Sequence, residues 1–253
     1  MRTPPYLEPA PPIAFAHRGG AEVEPNRGIE NSLAAFTHAY QLGYRYMETD
    51  VRVSRDGVVY ACHDAKLDRL LGREVEIVDL DSAEIDEALL GNREPIVRLE
   101  HLVEALPGAR WNIDVKSDDG VVPTTDLVER MGILDRICLA SFSHRRLVAM
   151  RARLPEVVTS ASSREVAQMV LTGRVPKAPS ILQVPVRHGR ARVMTPRFLQ
   201  RAHRAGKFVH VWTVDEPAEM HRLADLGVDG IMTDRTDLLK QVLTERGLWK
   251  DPA

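Results

Sequence analysis

Two histidines, an arginine and several carboxylates stand where short apolar runs of this chain end. They lie in Phe15-Ala16-His17-Arg18-Gly19-Gly20, in Glu48-Thr49-Asp50 and in His63-Asp64. Histidine moves protons near neutral pH, a guanidinium grips two phosphate oxygens at once, and carboxylates hold hard cations. Together these side chains form an inventory for phosphoryl transfer. Glu48 and Asp50 are two positions apart, so on a β-strand both point to one side and can share a cation. Asp114 and Lys116 repeat that spacing and add a third carboxylate for the cation and an ammonium for a phosphate. An all-oxygen donor set with no His or Cys cluster beside it suits Mg²⁺ or Ca²⁺ and argues against structural zinc.

These groups need a scaffold that brings distant segments to one place. Short runs rich in β-branched and apolar residues alternate with segments of helical period, the pattern of a parallel sheet with crossover helices. The runs read as strands are 13–16, 44–50, 111–115, 137–141, 157–160, 181–184, 208–213 and 230–233. They predict an α/β fold, one (β/α)8 TIM barrel, whose catalytic face lies at the C-terminal ends of its strands. His17, Glu48, Asp50, Asp114, Lys116, Gln183 and Trp212 fall there. Helix punctuation agrees: Asn31-Ser32 precedes the first helical run, and Pro155, Gly173, Gly206 and Gly227 stop later ones. The Asp56-Gly57 turn predicts an extra strand over 58–62, and 64–95 is too long for a loop. A cap insertion is therefore expected at about 58–98, after the second strand, in a single domain over 1–253.

A net charge of −2 gives no general attraction to nucleic acid, so any grip on anions must be local. With 44% hydrophobic and 28% charged residues the chain composition is that of a folded globule rather than a disordered segment. Cys62 and Cys138 lack metal-ligand spacing and sit in apolar runs, which reads as buried, reduced thiols. The proline-rich start has no signal-peptide core, and no apolar run approaches the ~18 residues of a membrane span. A cytoplasmic protein is expected, with peripheral contact with a membrane surface left open. The sequence does not give the oligomeric state.

The chain resembles the glycerophosphodiester phosphodiesterases. The matching residues are His17-Arg18-Gly19, Glu30-Asn31-Ser32-Leu33-Ala34-Ala35-Phe36, Gly43, Glu48-Thr49-Asp50-Val51, Ser54-Arg55-Asp56-Gly57, His63-Asp64, Leu67 and Arg69. They resume at Asn112-Ile113-Asp114-Val115-Lys116, Trp212-Thr213-Val214 and Gly227-Val228-Asp229-Gly230-Ile231-Met232-Thr233-Asp234. The resemblance implies hydrolysis of glycerophosphodiesters to glycerol 3-phosphate and an alcohol, with a divalent cation. It implies His17 and His63 as the acid/base pair, Arg18 as phosphate clamp with Lys116 assisting, and Glu48, Asp50 and Asp114 as metal ligands. Glu30 would buttress Arg18 or the cation. Two departures stand out: Asp114 replaces the family's usual Glu, and the 21–29 loop is longer than usual.

Each residue also has a plainer reading. Glu48 and Asp50 could pair with Arg45 or Arg52 in a half-buried strand, and Asp114 with Lys116 could be a barrel ion pair. Trp212 either packs against the cap or lines the alcohol pocket. His144 is read as capping the helix after Ser143, and His210 as packing inside the seventh strand. The basic run from Arg187 to Arg192 is either a solvated loop or a holder for an anionic headgroup. Two further functions stay open: a lysophospholipase D, whose acyl groove would lie among Leu70, Leu71, Ile77, Val78, Leu80, Leu89 and Leu90 of the insertion, and a non-catalytic barrel that binds phosphodiesters.

Overall fold

The computed structural model of the chain describes residues 4–8, 12–67 and 74–250. In chain order β1 (Ile13–His17) leads through α1 (Leu33–Gln41) to β2 (Tyr46–Val53), which folds back on β3 (Val59–Ala61). The insertion holds α2 (Ser82–Ile85) and a small hairpin of β4 (Leu89–Leu90) and β5 (Glu94–Pro95). Regular alternation follows: α3 (Leu99–Ala105), β6 (Arg110–Val115), α4 (Val121–Met131), β7 (Ile137–Ala140), α5 (His144–Arg153), β8 (Val158–Thr159), α6 (Ser163–Thr172) and β9 (Ile181–Pro185). A second hairpin, β10 (Arg187–His188) with β11 (Ala191–Arg192), precedes α7 (Pro196–Arg204), β12 (Phe208–Trp212), α8 (Pro217–Leu226), β13 (Gly230–Thr233) and α9 (Thr236–Glu245).

The parallel strands run in the order β8-β7-β6-β2-β1-β13-β12-β9, a nearly closed TIM-type barrel as the alternation predicts. Because β1 lies between β2 and β13, both ends of the chain meet at the same strand. His17 is in register with Glu48 on one side, and Ala16 with Thr233 on the other. One seam is weak. Between β8 and β9 the ladder shrinks to a bridge from Ser160 to Ile181 and the Ala161 N–H donating to the Ile181 carbonyl at 2.8 Å. The extra strand β3 pairs antiparallel with β2, as the Asp56-Gly57 turn requires.

Local chemistry explains the element ends. Ser32, Ser143, Ser162 and Thr195 each accept a hydrogen bond from a backbone N–H three residues on, capping the helix that follows. Thus Ser143, not His144, caps α5, and the His144 ring lies 3.1 Å from the Ser162 hydroxyl instead. Gly173 and Gly227 take left-handed backbone at φ +74° and +78°, which ends α6 and α8 without a Cβ penalty.

Most of the described apolar residues of the insertion pack on one another. Ile77, Leu80, Ile85, Leu90 and Ile96 bury one another together with Ile29 and Tyr60, making a satellite core against the β1–α1 loop. Leu89 stays 42% exposed, and Leu70 and Leu71 lie outside the described residues. Cys62 and Cys138 are both buried and free. His210 is wholly buried in β12, against the Phe15 ring at 4.8 Å.

Candidate active site

The site begins where β1 stops. Arg18 is in the left-handed region at φ +49°, and Gly19 and Gly20 follow at +86°. For an L-residue that conformation costs about 1–2 kcal/mol, and such strain collects at sites that need it. A Cβ on Gly19 would come within 2.8 Å of the Ala35 Cβ, so the turn is pressed onto the start of α1. Buried Asn26 locks it, donating from Nδ2 to the carbonyls of Gly19 at 3.0 Å and Gly20 at 3.1 Å. The tight turn delivers His17 and Arg18 to the barrel mouth beside the end of β2.

There the charged side chains interlock. His17 Nδ1 lies 2.7 Å from Asp234 Oδ1, and its Nε2 lies 3.6 Å from Glu48 Oε2. Arg18 Nε meets Asp50 Oδ2 at 2.9 Å, while its Nη1 reaches Glu30 Oε1 at 3.4 Å. Lys116 Nζ bridges Asp50 Oδ1 at 2.6 Å and Asp114 Oδ2 at 2.7 Å. Asn31 Nδ2 donates to Asp50 Oδ2 at 3.3 Å. The plainer pairing of Glu48 and Asp50 with Arg45 or Arg52 does not occur: Arg45 donates to the Tyr40 and Tyr44 carbonyls and Arg52 to that of His63. The plainer Asp114–Lys116 ion pair does occur, inside the same cluster.

Burial and neighbours set these charges against each other. Burial alone would lower the His17 imidazole, but the facing Glu48 and the Asp234 hydrogen bond outweigh it and raise it to about 9. Glu48, buried and beside Asp50, is pushed up to about 7. Asp50 is held low despite its burial by the Lys116 ammonium and the Arg18 guanidinium. Asp114 is pushed up by burial, against the pull of Lys116.

His63 stands apart from His17, with Nδ1 2.8 Å from Asp64 Oδ1, yet both rings line one cavity of about 630 Å³. Arg18, Lys116, Gln183 and Trp212 line it too, so the cavity gathers the sequence-predicted residues apart from Glu30. Gln183 Nε2 donates to Asn112 Oδ1 at 2.6 Å, and Trp212 stands edge-on to Phe142 at 5.4 Å. Asp234, Asn31 and Asn112 were not singled out as functional residues from the sequence, although all three lie in its matching motifs. The available signal was position: an acidic residue just after the last barrel strand must neighbour the first strand once the barrel closes. Among the described residues no group of three or more His, Cys, Asp or Glu side chains is already gathered as a metal site; in this arrangement the Lys116 ammonium lies between Asp50 and Asp114.

A parallel barrel with two histidines, two cations and three buried carboxylates around one mouth is a TIM-barrel enzyme of phosphodiester chemistry. The chain belongs to the glycerophosphoryl diester phosphodiesterase family, whose model matches residues 17–238. It is 39% identical over 256 residues to the probable glycerophosphodiester phosphodiesterase 2 of Mycobacterium tuberculosis, covering 95% of this chain and 97% of that one. It is similar to the crystal structure of a glycerophosphodiester phosphodiesterase from Agrobacterium tumefaciens, with TM-score 0.78, 28% identity and coverage of 91% and 98%. A third likeness, with TM-score 0.76, 20% identity and coverage of 92% and 97%, is to an Oleispira antarctica phosphodiesterase solved with its product sn-glycerol-3-phosphate. Among the described residues no helix is long and apolar enough to cross a membrane.

Proposed function

We propose that the chain hydrolyses glycerophosphodiesters to glycerol 3-phosphate and an alcohol, with His17 and His63 as its proton-transfer pair. The observation that carries the reading is that both imidazoles open on one cavity that Arg18 and Lys116 also line. A phosphodiester resists attack because its oxygens are negative and its alkoxide leaves poorly. Arg18 and Lys116 address the charge on the phosphate. One histidine takes the proton of the attacking hydroxyl while the other gives a proton to the departing oxygen, each contributing about 10²- to 10⁴-fold. The P–O bond to the alcohol breaks as the new P–O bond forms. Asp234 fixes the His17 ring through Nδ1 and leaves Nε2 for the reaction. The name of the Mycobacterium tuberculosis relative and the product bound to the Oleispira antarctica enzyme support the same substrate class.

The residues fit a divalent cation, Mg²⁺ or Ca²⁺. Glu48, Asp50 and Asp114 offer only hard oxygen donors, and Asp114 Oδ1 is buried without a hydrogen-bond partner. These three carboxylates would hold the ion, which would act as a Lewis acid toward the phosphate oxygens. The two buried, free cysteines suit a reducing compartment, the cytoplasm. The test is release of glycerol 3-phosphate from glycerophosphocholine by wild type and His17→Ala, with Mg²⁺, Ca²⁺ or EDTA. Release that requires the metal and falls at least a hundredfold in His17→Ala is expected. Undiminished release by His17→Ala would remove the histidine mechanism, and undiminished release in EDTA would remove the cation.

A further inference from the structure

The net charge of −2 hides an uneven distribution. Residues 166–214 hold seven arginines and two lysines with no Asp or Glu, which leaves 25 cations against 36 carboxylates on the remainder, a net of −11 there. The basic stretch runs from α6 through β9 and the second hairpin to α7 and β12. Because β9 and β12 are neighbours in the sheet, it forms one continuous side of the barrel and the rim above it.

Two elements turn the cations outward. Buried Phe198, Leu199 and Ala202 hold α7 on the sheet, which leaves Arg197, Arg201 and Arg204, at i, i+4 and i+7, as an exposed stripe. On the hairpin Arg187 stands opposite Arg192, with Arg190 in the turn, and all three are exposed. Like charges four apart on a helix, or directly opposite on paired strands, repel. Elsewhere exposed arginines find carboxylates, as Arg55 does in Asp81 and Arg153 in Asp126. Among the described residues no ion pair supplies one to these six. Glu219 of α8 feels Arg192 and Arg187, but its carboxyl is held low first by Arg222, whose Nε donates to it at 2.8 Å. An anionic surface laid across this side relieves the repulsion.

The same side exposes apolar surface. Leu171 is 84% exposed, more than any other large apolar side chain among the described residues, and Val170 beside it is 46% exposed. Buried Met169 already seats α6 on the barrel, so neither is needed for that. Both adjoin the cations. A Cβ on Gly173, two residues past Leu171, would lie 2.9 Å from Arg201 Nη1, and Val170 and Leu171 share the cavity wall with His188 and Ala191 of the hairpin. A nucleic-acid backbone would satisfy the arginines but set Leu171 against charged phosphates. The interface of an anionic bilayer takes both, since guanidiniums meet its headgroups while Leu171 and Val170 reach the acyl boundary.

We propose that this basic side of the barrel, made of α7, the hairpin and the end of α6, docks the protein reversibly on an anionic lipid bilayer. None of the six arginines lines the cavity, so the contact is separate from the phosphodiester site. Each arginine near such a surface should contribute about fivefold to partitioning, or ~1 kcal/mol, and less as salt rises.

The test is co-sedimentation of the full chain with vesicles of phosphatidylcholine alone and of phosphatidylcholine mixed equally with phosphatidylglycerol, across a salt series. One variant carries Arg197→Gln, Arg201→Gln and Arg204→Gln, a second carries Arg187→Gln, Arg190→Gln and Arg192→Gln, and a third carries Leu171→Ser, each checked for folding by circular dichroism. The expected result is binding to the mixed vesicles alone, weakened by salt and reduced about 100-fold in each triple variant. Leu171→Ser should lose about tenfold. Equal binding to both vesicles, binding to neither, or binding undiminished in a folded triple variant overturns the proposal. Full affinity in Leu171→Ser would reduce the face to charge and overturn the bilayer as its partner. Mixed vesicles left bare while a random-sequence DNA duplex is bound would make nucleic acid the partner and overturn it too. So would self-association in light scattering that the arginine substitutions abolish, which would make a second copy the occupant. The readout is binding, so it holds whether or not glycerophosphocholine is cleaved.

Discussion

Asp234→Asn isolates what the carboxylate behind His17 contributes. The two side chains are 14% and 18% exposed, and Nδ1 lies 2.7 Å from Oδ1, so solvent screens the contact little. The backbone at 234 is held independently: its N–H donates to Asp215 Oδ1 at 2.8 Å, and Asp215 also accepts from the Thr233 hydroxyl at 2.9 Å. An asparagine can therefore occupy the same place and still offer an oxygen to Nδ1, losing only the charge. A hydrogen bond to a charged group contributes about 1.5–3 kcal/mol and a neutral one about 0.5–1.5, so the substitution should cost about 1–1.5 kcal/mol. At 1.36 kcal/mol per decade that is about a 5- to 12-fold fall. Asp234→Ala removes the bond entirely and should cost about 12- to 150-fold on the same scale.

The assay is glycerol 3-phosphate release from glycerophosphocholine at saturating and limiting substrate. Asp234 acts through the imidazole, so the loss should fall on kcat, with KM changed less than twofold. The decisive measurement is the cycle with His17→Ala. With the imidazole gone, Asp234→Asn should change the residual rate less than twofold, because the two residues act as a unit. An Asp234→Asn enzyme at full rate, or one that loses the same factor in both backgrounds, would refute the reasoning.

Two further predictions concern stability. His210 is buried with neither ring nitrogen hydrogen-bonded, and burial pushes it down to about 3. A depressed folded value means stability intact above the unfolded value of about 6.5 and lost as pH falls toward 3, or about 2 kcal/mol by pH 5. In urea unfolding, the stability of wild type relative to His210→Leu should therefore drop by about that amount between pH 7.5 and 5; parallel curves would sink it. Gly19→Ala combines φ +86° with a Cβ 2.8 Å from that of Ala35, whereas Gly28 at φ +77° has nothing within 4 Å. The first should lose about 2–4 kcal/mol and the second about 1–2, and equal melting temperatures would show that the 17–20 turn yields rather than resists.

What could be read from the sequence had local causes. Glycine stops such as Gly173 and Gly227, and residues spaced two apart such as Glu48 and Asp50, place helix ends and strand faces with no knowledge of the rest of the chain. What could not be read depends on closure. Asp234 is 217 positions from His17 along the chain and meets it only because β13 closes on β1. Nothing in residues 230–234 alone distinguishes a carboxylate that orients an imidazole from one that caps the next helix.

The apolar residues show the same limit. Apolar residues in the insertion and on α6 are equally apolar in sequence, but Ile77, Leu80 and Ile85 find partners in one another, while Val170 and Leu171 do not. Hydrophobic composition states how much surface needs covering; only the tertiary arrangement states which surface stays uncovered. Here the uncovered surface lies over the barrel seam where the β8 ladder, two residues long, gives way to a single bridge. A full-length strand at that point would be expected to draw β8 and β9 together and narrow the space between α6 and the hairpin.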